Sequence, residues 1–210
     1  MKTCYIFGAA EGLPASFNKK DGDLVIAADG GFLYLNKIGI KPDIVLGDFD
    51  SLGYVPEFDG KIIKHPVMKD DTDTMLAVKT ALEMGFNRFV LYGCSGKRLD
   101  HTLANLQALS YIANNSGIGF LCGEDFTATA IKNGTLRFKS VPEGTISVFS
   151  LGEKAEKVSI KGLLYELEDA QVTSDFPIGV SNEFIGKPSE ISVARGMLSV
   201  IWSGDLTDVL

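Results

Sequence analysis

The sequence predicts an α/β protein with a mostly parallel sheet in its N-terminal part and a small antiparallel β-sandwich in its C-terminal part. Over roughly the first 120 residues, short apolar runs alternate with segments of helical periodicity, which is typical of a parallel sheet covered by helices. After about residue 123 only short alternating or β-branched runs remain, separated by Gly, Pro and charged turns, as in antiparallel sheets. We therefore predict two closely packed domains, residues 1–122 and 123–210.

The elements of the first domain follow from where the apolar runs begin and end. Met75, Val78 and Leu82 recur at helical spacing, for example, and Gly85 ends that pattern. In chain order we predict strands at 3–8, 23–28, 43–46, 61–64, 88–92 and 118–121, with helices at 31–38, 72–84 and around 103–112.

The second domain consists of short strand-like runs, and no helix of ten residues is predicted there. The runs are TLRFKS, TISVFS, KVSIKG, LLYELE, EISVA and MLSVIW. VSNEF at 180–184 combines short polar side chains with an aromatic one, and we interpret it as a loop between strands.

Composition argues against several classes of protein. The formal net charge of -7 and the pI near 4.9 disfavour general nucleic-acid binding, which needs a basic surface. No run approaches the roughly 18 apolar residues of a membrane span, and the first apolar run is too short for a signal peptide. Cys4, Cys94 and Cys122 lack C-x-x-C spacing and fit buried thiols in a reducing compartment. We expect a cytoplasmic protein without membrane or nucleic-acid partners.

Seven aspartates lie in four short segments where predicted strands end and predicted helices begin. In an open α/β sheet, that edge is where ligands bind. Clustered carboxylates repel one another unless a divalent cation or a basic side chain compensates. The seven are Asp29 in ADGG, Asp48 and Asp50 in GDFDS, Asp70, Asp71 and Asp73 in KDDTDT, and Asp100 in KRLDH. Together they predict a Mg²⁺ site that holds the phosphates of a nucleotide.

GDFDS places Asp48 and Asp50 two residues apart, directly after a predicted strand. In extended geometry such residues face the same way, so both carboxylates can approach one cation. The alternative is an ordinary polar turn, since Asp and Ser bond their own backbone. Beside the other aspartates, we favour the metal.

KDDTDT opens a predicted helix, and either Asp71 or Thr72 can be its N-cap. A capping role explains one or two carboxylates. It does not explain Asp70 and Asp73 as well, because three carboxylates in four positions need a counter-charge. Lys69 can supply that charge or contact phosphate directly.

KRLDH follows the glycine-containing GCSG and precedes a helix, an arrangement that offers backbone N–H groups to an anion. Arg98 can bind phosphate through two N–H groups. The alternative makes Asp100 a helix cap and Arg98 its surface partner. His101 is either a proton carrier or a structural residue.

ADGG at 28–31 is either a strand-end turn or a segment that brings Asp29 and the bare backbone of Gly30 and Gly31 up to a nucleotide. GAAEG at 8–12 matches neither G-x-G-x-x-G nor G-x-x-x-x-G-K-[ST]. The sequence therefore supports neither a dinucleotide fold nor a P-loop ATPase.

The chain resembles the thiamine pyrophosphokinases in a series of sequence blocks. In order, these are ADGG, the GI-K-PD-IVLGDFDS block, KD-x-TD, the G-x-x-G-x-RLDH-x-x-x-N block and SNEF. These blocks run from Ala28 to Phe184, and Lys97 stands where the family pattern has a second glycine. The resemblance implies transfer of the β,γ-pyrophosphoryl group of ATP to the hydroxyl of thiamine, with release of AMP. It also implies a homodimer with its sites between subunits, each chain having a nucleotide domain and a β-sandwich domain.

The resemblance also implies roles for single residues. By position, the family's functional carboxylates match Asp29, Asp48, Asp50 and Asp73, with Asp70 and Asp100 close behind, and its thiamine-contacting segment matches Ser181 and Asn182. Mg²⁺ held by Asp48, Asp50 and Asp73 would neutralise charge on the phosphates, and Asp48 or Asp73 would accept the hydroxyl proton. Phe184 or Trp202 can stack on the cationic thiamine ring, or can pack in a core.

Two other functions fit the same residues. One is a pyrophosphokinase or kinase for another small heterocyclic alcohol, such as a hydroxymethylpterin. The other is a nucleotide sensor without catalysis, although a sensor need not retain carboxylates at every expected position.

Overall fold

The computed structural model of the chain describes residues 2–10, 12–14, 17–49, 53–54, 58–64, 70–96 and 98–210. Its elements, in chain order, are β1 (Cys4–Phe7), β2 (Leu24–Ala28), α1 (Gly31–Lys37), β3 (Ile44–Gly47), β4 (Lys61–Lys64), α2 (Asp73–Glu83), β5 (Arg88–Tyr92), α3 (Leu99–Asn114), β6 (Ile118–Cys122), β7 (Thr127–Lys132), β8 (Thr135–Phe138), β9 (Thr145–Ser150), β10 (Lys154–Lys161), β11 (Leu167–Thr173), β12 (Gly179–Glu183), β13 (Ser189–Arg195), β14 (Met197–Trp202) and a 3₁₀ turn (Leu206–Asp208). No helix in the described part of the chain is long and apolar enough to cross a membrane.

Ten strands form one large sheet in the order β12-β9-β14-β7-β6-β5-β1-β2-β3-β4. The six strands from β6 to β4 are parallel, and the other four continue the sheet antiparallel. The remaining strands form an antiparallel sheet in the order β11-β10-β13-β8. A mostly parallel α/β sheet with an antiparallel β-rich part confirms the predicted fold class.

Successive side chains of each strand pack on opposite faces of the large sheet. In β2, Ile26 belongs to the core under α2 and α3, whereas Val25 and Ala27 pack with Leu35 of α1. In the C-terminal half, the four-stranded sheet covers one face of the antiparallel strands. Both layers contribute to a single core around Trp202. The helices thus cover the parallel strands, and the second sheet covers the antiparallel strands.

The large sheet continues across the predicted domain boundary at residue 122. Cys122 at the end of β6 is paired with Tyr92 of β5 on one side and with Thr127 of β7 on the other. Ala128 and Ala130 of β7 also lie in the core that includes α3. The hydrogen-bonded sheet therefore has no break at residue 122. The division into residues 1–122 and 123–210 stays a prediction about function.

The N-terminal elements begin and end within one residue of the predicted positions, except α3, which extends further in both directions. In the C-terminal half, the interpretation of VSNEF as a loop was wrong, because β12 covers most of it. Its alternation is interrupted where the register shifts between Gly179 and Asn182 and Ser181 adopts a φ of 58°. LLYELE was predicted as a strand, but β11 begins only at Leu167, and β7 was not predicted.

Candidate active site

A pocket opens at the carboxyl ends of the parallel strands, between β1 and β5. These two strands are neighbours, but the chain continues from β1 to β2 on one side and from β5 to β6 on the other. Ligands of open α/β sheets bind where the strand order reverses in this way. The cavity has a volume of about 670 Å³, which is within the range of roughly 300–1,000 Å³ for small-molecule sites.

Several separate segments build the wall of this pocket. They are residues 8–10 after β1, 28–29 at the end of β2, 72–74 at the start of α2, 93–96 after β5, and parts of 98–105 in and before α3. Of the predicted site residues within the described part of the chain, the pocket brings together Asp29, Thr72, Asp73, Arg98 and His101.

The loops after β1 and β5 are joined through their backbones. The Gly8 N–H donates to the Tyr92 carbonyl and the Ala10 N–H to the Gly93 carbonyl, each at 2.8 Å. A Cβ at Gly8 would collide with the Gly93 carbonyl, so the close approach requires glycine. Sequence reasoning missed residues 8–10 as part of the site because GAAEG matches no phosphate-loop pattern. Its position at the reversal of strand order was the signal that could have found it.

Asp29 follows β2 with a left-handed backbone, at a φ of 48°. Its N–H donates to the Leu46 carbonyl at 2.8 Å, which ties it to the end of β3. Its Oδ1 is buried, and no described residue makes a hydrogen bond to it. Gly47 permits the packing, because a Cβ there would lie 3.2 Å from the Asp29 Cα. A buried carboxylate oxygen without a partner is unfavourable, so this atom suits a cation or a ligand donor.

The three carboxylates of KDDTDT have different environments at the start of α2. Thr72 is the N-cap, and its Oγ1 accepts a hydrogen bond at 3.2 Å from the backbone N–H three residues on. Asp71 instead pairs with Lys79, 2.7 Å from its Nζ, so a lysine of the same helix supplies part of the counter-charge. Asp73 is the first residue of α2 and is half-buried in the pocket wall, whereas Asp70 is exposed.

Arg98 precedes α3 and pairs with Asp100 in the first turn. Its Nη2 lies 2.6 Å from one carboxylate oxygen and its Nε 3.2 Å from the other, and both side chains are 65% exposed. The hydrogen bond from Arg98 lowers the pKa of Asp100 to about 2. Asp100 also accepts from the His101 backbone N–H at 3.0 Å. The surface pairing considered from the sequence is present, but Arg98 and not Asp100 is at the N-cap position.

Five further predicted residues either do not line this pocket or lie outside the described structure. Gly31 is buried, and a Cβ on it would overlap the Phe7 carbonyl, so packing of α1 on β1 accounts for this glycine. Gly30 is the N-cap of α1, and Asp48 is half-buried after β3. Asp50 and Lys69 lie outside the described residues. Within the described ranges, no three His, Cys, Asp or Glu side chains form a group that could hold a metal ion.

Asn182 connects β12 to the turn at residues 163–165. Its Oδ1 accepts hydrogen bonds from the N–H groups of Tyr165 and Glu183, both at 2.9 Å, and its Nδ2 donates to the Tyr165 carbonyl at 2.6 Å. Ser181 is exposed, and its N–H donates to the Ser147 Oγ at 3.1 Å. The Asn182 amide thus has a structural role, and contact of this pair with thiamine stays a prediction.

Phe184 requires a correction, because it lies in the core of the β-rich half and is only 4% exposed. Its ring packs edge-on against Phe138 at 5.2 Å, and Trp202 packs edge-on against the same ring at 5.2 Å. An enclosed ring offers no face to a ligand, so packing is the role of both aromatic residues. From the sequence, the short polar residues before Phe184 favoured a binding loop. The burial of Phe184 depends on packing against residues distant in sequence, such as Phe138, which the local sequence does not reveal.

Comparisons with known proteins agree with this architecture. The family model of the thiamin pyrophosphokinase catalytic domain matches residues 18–119, and that of the thiamin pyrophosphokinase vitamin B1 binding domain matches residues 135–198. A thiamine pyrophosphokinase from Bacillus subtilis (strain 168) is 28% identical over 191 residues, which are 87% of this chain and 88% of the relative.

Solved structures have the same fold. The crystal structure of thiamine pyrophosphokinase from Bacillus subtilis matches with a TM-score of 0.85 and 26% identity, over 98% of this chain and 100% of that one. Thiamin pyrophosphokinase from Candida albicans, at 17% identity, is similar in fold, with a TM-score of 0.73 over 97% of this chain and 89% of that one. Fold and pocket define an α/β protein with an antiparallel β-rich part and a ligand pocket at the reversal of strand order. Within that class, the chain belongs to the thiamine pyrophosphokinase family and is an enzyme.

Proposed function

We propose that this enzyme transfers the β,γ-pyrophosphoryl group of ATP to the hydroxyl of thiamine, giving thiamine diphosphate and AMP. The observation that carries the proposal is that Asp29, Asp73 and Arg98, from three separate segments, line one pocket where the strand order reverses. Transfer of phosphoryl groups needs positioning and charge neutralisation more than covalent participation of the protein. Two carboxylates for a cation and one guanidinium for phosphate supply the charges that this chemistry needs.

Mg²⁺ fits the residues of this pocket. Proteins usually hold this ion through one or two carboxylates, and substrate phosphates and water complete its octahedral shell. Asp29 has a buried oxygen without a described partner, and Asp73 lines the same wall, so a cluster of three protein ligands is not needed. When bound, the ion would neutralise charge on the phosphates. Asp48 and Asp50 are the further ligands we propose.

Arg98 is the residue we assign to phosphate. Exposed ion pairs contribute little free energy, so the pairing of Arg98 with Asp100 is easily exchanged. A phosphate can accept the same two hydrogen bonds from the guanidinium. His101 and the N-terminal turn of α3 lie beside it, and the partial positive charge of that turn also favours an anion. These groups would bind the transferred group or the leaving AMP.

Thiamine is assigned to the β-rich half, where the B1-binding family model matches. Phe184 is buried, so a stacking ring must come from elsewhere. Tyr165 is 64% exposed, and its backbone is bonded to Asn182 in the predicted thiamine segment. We propose Tyr165 as the aromatic residue that contacts the cationic ring.

The test is to incubate the protein with ATP, Mg²⁺ and thiamine and to quantify nucleotides and thiamine esters together. We expect AMP and thiamine diphosphate in equal amounts. ADP with thiamine monophosphate would instead identify an ordinary kinase. Turnover with a hydroxymethylpterin and none with thiamine would identify a different acceptor, and nucleotide binding without turnover would identify a sensor.

We also propose that the enzyme is a cytoplasmic homodimer. β12 is the terminal strand of the large sheet, and exposed apolar side chains lie on and beside it, among them Phe176, Ile178 and Val180. An exposed sheet edge with apolar side chains favours association. Light scattering should report about twice the chain mass of 22.6 kDa, and a monomer that still turns over would contradict shared sites. The three buried free thiols fit a reducing compartment.

A further inference from the structure

Asn105 is a buried amide in the wall of the pocket. It lies in the second turn of α3 and is 6% exposed. Its Nδ2 donates to the Cys94 carbonyl at 2.7 Å. Only the amide nitrogen can donate to a carbonyl, so chemistry fixes the orientation of this side chain. Asparagine is seldom buried in a helix unless it has a specific partner, and here the partner is the loop between β5 and α3.

The loop that Asn105 contacts forms part of the pocket wall. Gly93 and Gly96 have φ angles of 63° and 127°, so this turn uses backbone conformations that other residues rarely adopt. Thr102, three residues earlier on the same side of α3, accepts a hydrogen bond from the Gly96 N–H at 3.4 Å. That distance is long for an N–H···O bond, whereas the bond of Asn105 is short. Asn105 therefore makes the stronger of these two contacts between helix and turn.

We propose that Asn105 is a positioning residue for the nucleotide. It holds the Cys94 carbonyl and thereby keeps the turn at residues 93–96 against the pocket, in fixed relation to Arg98 and His101 at the start of the same helix. It acts through the turn and does not touch the reacting atoms. The inference depends on the proposed function for the identity of the ligand.

Two variants of Asn105 test this role. Asn105→Ala removes the donor, and Asn105→Asp keeps the shape of the side chain but cannot donate when ionised. For each variant we expect the dissociation constant of a non-hydrolysable ATP analogue, measured by calorimetry with Mg²⁺, to rise by about tenfold or more. The KM for ATP should rise with it, whereas the KM for thiamine should stay within about twofold.

Asn115→Ala is the matched control. Like Asn105, Asn115 donates from its Nδ2 to a backbone carbonyl, that of Tyr111 at 2.8 Å. Asn115, however, lies at the C-terminal end of α3, opposite to Asn105. It should bind the analogue like the unmodified enzyme, at a temperature where every variant is folded by circular dichroism. Equal binding by Asn105→Ala and Asn115→Ala would overturn the inference, as would equal losses for both substrates. Absence of AMP formation by the unmodified enzyme would refute the proposed reaction instead, and the calorimetric comparison would still decide the role of Asn105.

Discussion

Asp29 and Asp73 reach the pocket with different consequences for folding. Asp29 combines a left-handed backbone with a buried oxygen that has no described partner, and both features are unfavourable in the folded chain. Asp73 begins α2, where a negative charge interacts favourably with the helix N-terminus. Asp29 is therefore retained at the expense of the stability of the fold, whereas Asp73 is compatible with a stable fold.

Replacing either carboxylate with its amide should separate function from folding. Asp29→Asn and Asp73→Asn should each lower turnover by about a hundredfold or more, because they remove charge aimed at the phosphates. Asp29→Asn should not lower the melting temperature, since no described residue makes a hydrogen bond to the buried carboxylate oxygen that it replaces. AMP formation and thermal melting measured on the same samples check both statements. Asp59→Asn, in a surface pair with Lys41 at 3.4 Å, is the control, and near-normal turnover in both pocket variants would contradict the assignment.

Phe184 and Tyr165 give opposite expectations. Phe184→Ala opens a cavity in the core and should reduce the free energy of unfolding by about 3–5 kcal/mol. Tyr165→Ala changes an exposed ring and should leave the free energy of unfolding nearly unchanged, but raise the KM for thiamine by about tenfold. Urea unfolding and steady-state kinetics distinguish the two. If Phe184→Ala raised only the KM for thiamine and unfolded normally, its packing role would be wrong.

At the scale of elements, α1 depends on its contact with β1. Gly31 at the start of α1 faces the Phe7 carbonyl, and no Cβ fits between them. Gly31→Ala should displace the helix and reduce the free energy of unfolding by about 1–3 kcal/mol. Gly152→Ala is a suitable control, because no atom of the described residues lies within 4 Å of its added Cβ. Chemical denaturation of both variants tests the expectation. A stable Gly31→Ala variant with weakened nucleotide binding would instead support a direct binding role for this glycine.

The elements differ in how far their sequence determines them. The strands of the parallel part were predicted closely, because strands buried on both faces are continuous apolar runs bounded by glycine or aspartate. β12 was missed because a register shift and a left-handed residue, Ser181, break its alternation. The site was predicted only in part for a related reason. Asp73 and Arg98 belong to recognisable segments, whereas the contribution of Asn105 depends on a contact with Cys94, eleven residues away, that no periodicity reveals.

At the scale of the whole molecule, the two halves share one sheet. β6 pairs with β7 through Cys122 and Thr127, and α3 packs on strands from both halves. We therefore expect a single cooperative transition in calorimetry, with equal calorimetric and van't Hoff enthalpies per cooperative unit. A fragment of residues 1–122 should not fold alone, because its β6 would expose an unpaired edge. Two separate transitions, or a folded fragment, would contradict this expectation.

The continuous sheet also restricts how such a chain can diverge. Proteins joined by a flexible linker can exchange one part for another through recombination, because the new partner needs only to be tethered. Here an incoming C-terminal half would have to supply a strand whose register matches β6 and whose small side chains, like Ala128 and Ala130, accept α3. Changes in acceptor specificity are therefore more accessible through substitutions in loops, such as that at residues 163–165, than through replacement of the whole β-rich half.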